Sequence, residues 1–398
     1  MAIGLGLLPF WSVPALALWA GEMVTIWGRQ GCVLLRNRDT WQWLLLTAGF
    51  LWSTWQSPAP REALLGLGNF VPFFAFFLAL RPYLTPTRLQ VLLTVMASTG
   101  VAVTAIGLLQ ATFPYPWTLT LLGVEMNWHP RIPGRVDSVF SDANVMASYC
   151  VMVLFVQLGL AVQAPAKSWT RWGWGMAAGL TGLALVGTRS LNGLLVVWLL
   201  GLGLSLAYRR YGFSALLLLL GLAVVGAGWD WPGWRAVVPE VLWGRIPKYL
   251  SGQAEDPRTT QWQIAWQAFW QRPWWGWGLR AFPTLYHQAT GRWVGHPHNL
   301  WVMLLVETGV WTTLGFTYLV GRVVVQAWRH WRQDPQPWYG AMGLAFIGVT
   351  LFHMLDVTLF DGRVNGLAWL LLTGLAGARG HKSPPDGGAG CSSPSSWE

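Results

Sequence analysis

Residues 211–229 read YGFSALLLLLGLAVVGAGW, nineteen positions between Arg210 and Asp230 without a charged side chain. A helix rising about 1.5 Å per residue crosses the roughly 30 Å hydrocarbon core of a bilayer with a run of this length. The whole chain repeats the pattern. Across 398 residues, 54% belong to the apolar set, 11% are charged and mean hydropathy is +0.40, whereas soluble domains carry about 25% charged residues. The fold class is an all-α polytopic membrane protein, which excludes cytosolic enzymes and nucleic-acid-binding proteins. The formal charge of +10 is therefore read against lipid, with no nucleic acid as partner. The 31 Trp residues suit the same setting, because Trp favours membrane interfaces. Cys32, Cys150 and Cys391 have neither metal-ligand nor redox spacing, so no disulfide framework follows.

Outward from that run, similar blocks predict spans at about 41–55, 63–80, 89–113, 139–162, 172–187, 191–208, 213–229, 298–325, 338–360 and 364–378. The apolar N-terminus, 1–28, lacks the basic start of a cleaved signal peptide and is broken by Pro9 and Pro14; it reads as a retained, imperfect span or hairpin. About eleven transmembrane helices (10–12) are expected, in a transmembrane domain over 1–378. The remainder, 379–398, is rich in Pro, Gly and Ser, the composition of a disordered tail.

Lys and Arg in short loops set orientation. Alternate loops and the tail hold fourteen: Arg29, Arg36, Arg38, Arg81, Arg88, Lys167, Arg171, Arg209, Arg210, Arg322, Arg329, Arg332, Arg379 and Lys382. That side is the cytoplasm, and it includes the C-terminus. The opposite short loops hold only Arg61, Arg131, Arg135, Arg189 and Arg363. Seven more basic residues fall in the 68-residue stretch 230–297, which alternation places outside.

A connection that long is functional or disordered more often than idle. Within it, Trp262, Ile264 or Ala265, Trp266, Phe269 and Trp270 recur at helical spacing up to Pro273, which predicts an amphipathic helix along the outer interface. Anchoring alone accounts for the Trp residues. It does not account for seven basic residues against Asp230, Glu240, Glu255 and Asp256, a surplus suited to an anionic ligand.

Gly295-His296-Pro297-His298-Asn299 follows, directly before an apolar run. Pro297 starts a helix easily, so His298 and Asn299 are expected in its first turn at the outer mouth of a span. A histidine there, with an unperturbed pKa of about 6.5, can take a proton from a hydroxyl. Two plainer readings stand beside it: an ordinary interface histidine, or a metal site with His296. The metal is disfavoured, since no Cys, Asp or Glu cluster nearby supplies further ligands. Glu307 lies nine residues on, about 13 Å deeper along a helix, and His353 and Asp356 are i, i+3 on the next span, hence on one face. Intramembrane charges suit an ion path or a polar core. Asp137, Asp142 and Asn144 open another span, where helix capping is the plain reading.

The strings PRTTQWQIAWQAFWQRPWWGWGLRAF and GHPHNLWVMLLVETGV resemble the O-antigen ligase and O-antigen polymerase superfamily. Arg258, Trp266, Pro273, Gly276, Gly278, Phe282, His298, Asn299, Glu307 and Gly309 match its pattern. Upstream, RVDSVFSDANVMASY is similar through Arg135, Ser138, Phe140, Asn144 and Ala147, with Ala143 where Pro is usual. The resemblance covers 131–378. The stretch DVTLFDGRVNGLAWLLL looks like that of cyanobacterial members, some of which carry the name of bicarbonate transporters. In one departure, the family's Thr-x-Ser-Arg reads Thr188-Arg189-Ser190-Leu191. Two residues rotate a helical position by about 200°, so Arg189 can serve for the displaced arginine only where the backbone is still a loop; Arg135 and Arg292 are the other external arginines available.

The resemblance implies transfer of a glycan, without cofactor or metal, from a polyprenyl diphosphate donor to an acceptor hydroxyl at the periplasmic face of the inner membrane, with inversion. The acceptor is a lipid core, a glycan or a protein, which separates a ligase from a polymerase and from a protein O-oligosaccharyltransferase. On that reading His298 is the general base, Arg258 and Arg189 hold the diphosphate, and Asn299, Arg135, Arg292, Asn144 and Glu307 line the substrate site. The competing class is a bicarbonate or other anion transporter using Glu307, His353 and Asp356, or an accessory membrane protein. No internal repeat of the transporter kind is evident.

Overall fold

A computed structural model describes residues 1–113, 118–121, 124–127, 134–244, 247 and 257–378. The tail 379–398, with Arg379 and Lys382, lies outside the described residues, as do Arg131, Arg245 and Lys248. The chain is helical almost throughout: α1 (Ala2–Leu7), α2 (Ser12–Leu35), α3 (Arg38–Trp55), α4 (Pro60–Leu67), α5 (Val71–Leu80), α6 (Pro86–Thr112), α7 (Ala143–Gln163), α8 (Trp169–Gly187), α9 (Leu191–Ala207) and α10 (Tyr211–Gly228) come first. Four helices, α11 (Trp234–Val237), α12 (Glu240–Trp243), α13 (Pro257–Gln271) and α14 (Ala281–Thr290), precede α15 (Leu300–Gln333), α16 (Pro337–Phe352) and α17 (Gly362–Gly377). Between α6 and α7 an antiparallel hairpin pairs β1 (Thr118–Leu121) with β2 (Val124–Asn127).

Seven of the described helices begin where the sequence supplies a side-chain cap. Asn37, Thr85, Asp142, Ser168, Ser190, Asn299 and Asp361 each accept a backbone amide at the start of a helix, which satisfies one of the donors a helix start leaves unpaired. Every expected span between 41 and 378 is met by helix, with three larger differences at the ends and one within. Helix α7 begins only at Ala143, α15 runs on to Gln333, α16 stops at Phe352, and the segment at 63–80 is two helices. Among the described residues, five helical stretches are long and apolar enough to cross a membrane: Pro60–Tyr83, Pro86–Thr112, Ala143–Gln163, Tyr211–Gly228 and Leu300–Gln333. Helices α16 and α17 have 16 residues each, about 24 Å of helix, short of a full hydrocarbon core.

Helix α7 is the centre, its residues 146–157 buried throughout between α8 and α16. Contact with α16 is close because Gly159 faces Ala341, where a Cβ on the glycine would overlap the alanine methyl. Small residues at such crossings suit a bilayer, in which lipid tails are as apolar as a helix and fit, not apolar burial, drives association. A second packing centre joins Trp43, Phe50, Phe74, Phe77 and Trp369, with centroids of neighbouring rings 4.8 to 6.4 Å apart. By contrast α10 exposes Leu216, Leu218, Leu219, Leu220 and Leu222, as a helix apolar all round does when it faces lipid.

The helix anticipated near Trp262 exists as α13. Its inward face is Gln261, Ala265, Ala268 and Phe269, while Trp262, Trp266 and Trp270 form an exposed stripe. Small residues permit close docking on α15, and the indoles cover the opposite side.

Candidate active site

Four helix starts converge at one end of the bundle, around the loop 353–361. The Leu300 amide donates to the His353 carbonyl at 2.9 Å, Asn192 Nδ2 to the Phe352 carbonyl at 2.9 Å, Asn144 Nδ2 to Asp356 Oδ2 at 2.8 Å and Arg363 Nη1 to the Val139 carbonyl at 2.7 Å. These contacts gather the first turns of α7, α9, α15 and α17. Each helix start carries a partial positive charge from its unpaired amides, so their convergence favours an anion.

His298 stands at this point, but not in a helix turn as the sequence suggested. Asn299 is the cap: its Oδ1 accepts the Trp301 and Val302 amides, and its Nδ2 donates to the Met354 carbonyl at 2.9 Å. A capping residue has extended backbone, so the helix starts one residue later and His298 precedes it with φ 54°. Its Nδ1 lies 2.8 Å from Asp356 Oδ1. Burial alone would raise the Asp356 pKa, but the His298 hydrogen bond and the two neighbouring imidazoles outweigh it and hold the carboxyl at about 2. An ionised carboxylate only accepts, so Nδ1 carries the proton and donates. Nε2 is left with the lone pair, on a ring that is 29% exposed.

His353 and Asp356 do not share a helix face, contrary to the i, i+3 expectation. Helix α16 ends at Phe352, and the loop turns the two apart: His353 Nε2 meets Thr358 Oγ1 at 3.1 Å, while Asp356 reaches His298 and Asn144. His296 completes the cluster. Its Nδ1 accepts the His298 amide at 3.2 Å and its Nε2 lies 3.8 Å from Asp356 Oδ1. Burial lowers the His296 pKa to about 4; Asp356 pulls it up, while His298 and Arg258 push it down.

The arginines arrive by two routes. Arg135 Nη2 donates to Asn144 Oδ1 at 2.9 Å and its Nε to the Thr188 carbonyl at 2.7 Å, so a chain runs Arg135, Asn144, Asp356, His298. Thr188 to Ser190 is a loop between α8 and α9, with Arg189 at φ 52°; the condition for Arg189 to replace an arginine at Leu191 is therefore met. Its guanidinium lies against Gly134, next to Arg135. Arg258 comes from α13, where Trp262 Nε1 donates to the Pro297 carbonyl at 2.7 Å. One turn earlier on the same face, the Arg258 charge acts on His296. Arg292 is exposed in the turn after α14, its amide bonded to Thr290 Oγ1 at 3.2 Å.

Glu307 is placed to hold the frame. Helix α15 is broken at Gly309, with φ 74° and ψ 177°, so the nine residues from His298 to Glu307 lie above a break and not along one straight span. The break frees backbone groups, and the loop after α13 takes them: the Trp277 amide donates to the Val306 carbonyl at 2.9 Å, the Gly278 amide to the Glu307 carbonyl at 2.8 Å, and the Val310 amide to the Pro273 carbonyl at 2.8 Å. Ser53 Oγ adds a bond to the Glu307 carbonyl at 2.5 Å. Gly276 has φ 69° and a Cβ there would stand 2.5 Å from the Glu307 carbonyl oxygen, so only glycine permits the approach. The Glu307 side chain, 2% exposed, faces the Phe282 amide at 3.4 Å.

Sequence reading missed the partnership of Asp356 with His298, which spans 58 residues, and the role of His296. It also missed Arg280, whose guanidinium lies 5.9 Å from the Phe360 ring that stacks on His296 at 5.9 Å. The cost of a buried charge singled out Asp356; nothing in the sequence paired it.

The fold and the site define a polytopic helical membrane protein with a histidine–carboxylate pair among arginines. Residues 175–317 match the family model described as O-antigen ligase, a similarity that supports glycosyl transfer of the ligase or polymerase type. The match includes Arg189, Arg258, His298, Asn299 and Glu307; Arg135, Asn144 and Asp356 lie outside it. No curated protein matches the chain.

Proposed function

We propose that the protein transfers a glycan from a polyprenyl diphosphate to an acceptor hydroxyl, as an O-antigen or surface-polysaccharide ligase, at the periplasmic face of the bacterial inner membrane. The observation that carries this reading is the His298–Asp356 pair, with Arg258 beside it, inside a stretch matching O-antigen ligases. His298 Nε2 removes the acceptor proton as the hydroxyl oxygen attacks the anomeric carbon, Asp356 stabilises the resulting imidazolium, and the glycosidic C–O bond to the diphosphate breaks on the opposite face, giving inversion. The electron pair leaves on the diphosphate, whose charge is met by Arg258, Arg189 and the convergent helix starts. No metal is required in this scheme. The span number near eleven, which rests on the apolar runs, and the periplasmic placement of 230–297 and cytoplasmic C-terminus, which rest on the distribution of Lys and Arg, belong to the same proposal. The choice among ligase, polymerase and protein O-oligosaccharyltransferase depends on the acceptor.

An ion path has little left to use. Glu307 is engaged at the helix break, and His353 and Asp356 lie in a loop at one end. The test is transfer by membranes carrying His298→Ala or Arg258→Ala, where unused lipid-linked donor is expected to accumulate. Normal product from both variants would overturn the reading.

A further inference from the structure

We propose that His296, His298 and Asp356 form a binding site for a divalent transition cation, with Zn²⁺ or Co²⁺ as the fitting ions. The ligand atoms of the three side chains lie within 4.8 Å of one another. His298 Nδ1 and His296 Nε2 stand 2.8 and 3.8 Å from the same carboxylate oxygen, Asp356 Oδ1. Ligands about 2.0–2.1 Å from a tetrahedral zinc are separated by roughly 3.3 Å, so small side-chain shifts bring the set to metal-binding geometry. Sequence spacing disfavoured a metal because no carboxylate stood near the histidines. The fold supplies one from the loop after α16, and the 29% and 19% exposure of His298 and His296 leaves an approach for the ion and for water as a fourth ligand.

Two imidazoles and one carboxylate select transition ions over Mg²⁺ and Ca²⁺, which prefer oxygen. Arg258 and Arg135 stand close by and weaken the attraction of any cation; Asp356 supplies the opposing charge. Binding exchanges protons without a redox step. His298 moves its proton from Nδ1 to Nε2 as Nδ1 takes the metal in place of the hydrogen bond to Asp356. His296 takes the metal on Nε2 and carries its proton on Nδ1, giving up the His298 amide. The proposal concerns binding alone: the bound ion leaves the proton on His298 Nε2 and so removes the base of the proposed transfer, and the metal-loaded protein is expected to be inactive in that reaction.

The test uses the full chain purified in detergent without a polyhistidine tag, stripped with chelator and titrated with Co²⁺. The expected result is one equivalent showing visible d–d bands, displaced by Zn²⁺ and unaffected by hundredfold Mg²⁺, with His296→Ala and Asp356→Asn each weakening affinity about tenfold or more. X-ray absorption of the Zn²⁺-loaded parent, which requires no variant to fold, is expected to show two imidazole nitrogens at about 2.0–2.1 Å. Absence of a Co²⁺ signal, equal affinity in both variants, or fewer than two imidazoles would overturn the proposal.

Discussion

Replacing Asp356 by Asn tests the hydrogen-bond logic of the site with almost no change in volume. In the parent, the carboxylate accepts three times: from His298 Nδ1 and the Val357 amide on Oδ1, and from Asn144 Nδ2 on Oδ2. An amide cannot do this. If its oxygen faces His298, its nitrogen opposes Asn144 Nδ2, and Asn144 cannot flip because its own oxygen holds Arg135 Nη2 at 2.9 Å. If the oxygen faces Asn144 instead, the amide nitrogen meets His298 Nδ1 and fixes the tautomer that has no base at Nε2. Loss of a hydrogen bond to a charged group costs about 1.5–3 kcal/mol, and the analogous change in serine proteases lowers turnover about 10⁴-fold. Transfer by Asp356→Asn is therefore expected to fall by about 10² to 10⁴, roughly 2.7–5.4 kcal/mol of barrier. The geometry also predicts a rescue. With Asn144→Asp added, the introduced carboxylate accepts from Arg135 and from the new amide nitrogen, so the amide oxygen again faces His298. The double variant is expected to recover about tenfold over the single one, less than full activity because the imidazolium has lost its adjacent charge. Initial rates of lipid-linked glycan transfer, compared in a double-mutant cycle, decide the matter, with thermal unfolding of each variant as control. A single variant within threefold of the parent would refute the base assignment, and a double variant no better than the single would refute the relay through Asn144.

Two other predictions concern the arginine loop and the frame. Arg189→Ala is expected to raise the KM for lipid-linked donor about ten- to hundredfold while kcat falls less, since a charge-assisted bond is worth about 1.5–3 kcal/mol; an unchanged KM would remove Arg189 from the donor site. Gly309→Ala forces a side chain into a glycine-only backbone region and onto the Trp274 carbonyl, which costs about 1–3 kcal/mol in backbone strain alone. A fall in thermal stability in detergent is expected, and a melting temperature equal to that of the parent would contradict the docking of the loop at the break.

Most of the helical architecture was legible because its signal is local. Charge-free runs with Asn, Asp, Ser or Pro at their starts specify helices without reference to the rest of the chain, and the observed bounds follow them. Misreading began where tertiary contacts intervene. The i, i+3 rule put His353 and Asp356 on one face, but the helix ends at Phe352, and the His353 and Met354 carbonyls beyond it are taken by Leu300 and Asn299 from across the bundle. The Trp stripe of α13 was legible as a helix, yet its outward face was not, since close docking on α15 selects Ala265 and Ala268 over the larger indoles. His298 and Arg258 stood out by charge scarcity in an apolar chain. The pairing of Asp356 with His298 and Asn144 required the fold, because hydrogen-bond partners 58 and 212 residues apart leave no periodic trace.

The break in α15 gives Glu307 and three glycines of the same motif a structural part in placing the elements around His298. A straight helix through Gly309 would keep the Val306 and Glu307 carbonyls within its own ladder and leave the loop 273–278 without partners. By releasing those groups, the break lets the loop dock through its backbone, and the Val306, Glu307 and Pro273 carbonyls find partners away from water, as a membrane-embedded chain demands. That dock fixes the C-terminal end of α13, while Trp262 fixes its middle to the Pro297 carbonyl. Two attachments along one 15-residue helix determine its direction, and hence where Arg258 stands relative to His298. On the proposed reading, precision between His298 as base and Arg258 as diphosphate ligand thus comes from the backbone contacts around Gly276, Gly278 and Gly309. Larger side chains at these positions are expected to displace Arg258 while leaving the His298–Asp356 pair intact.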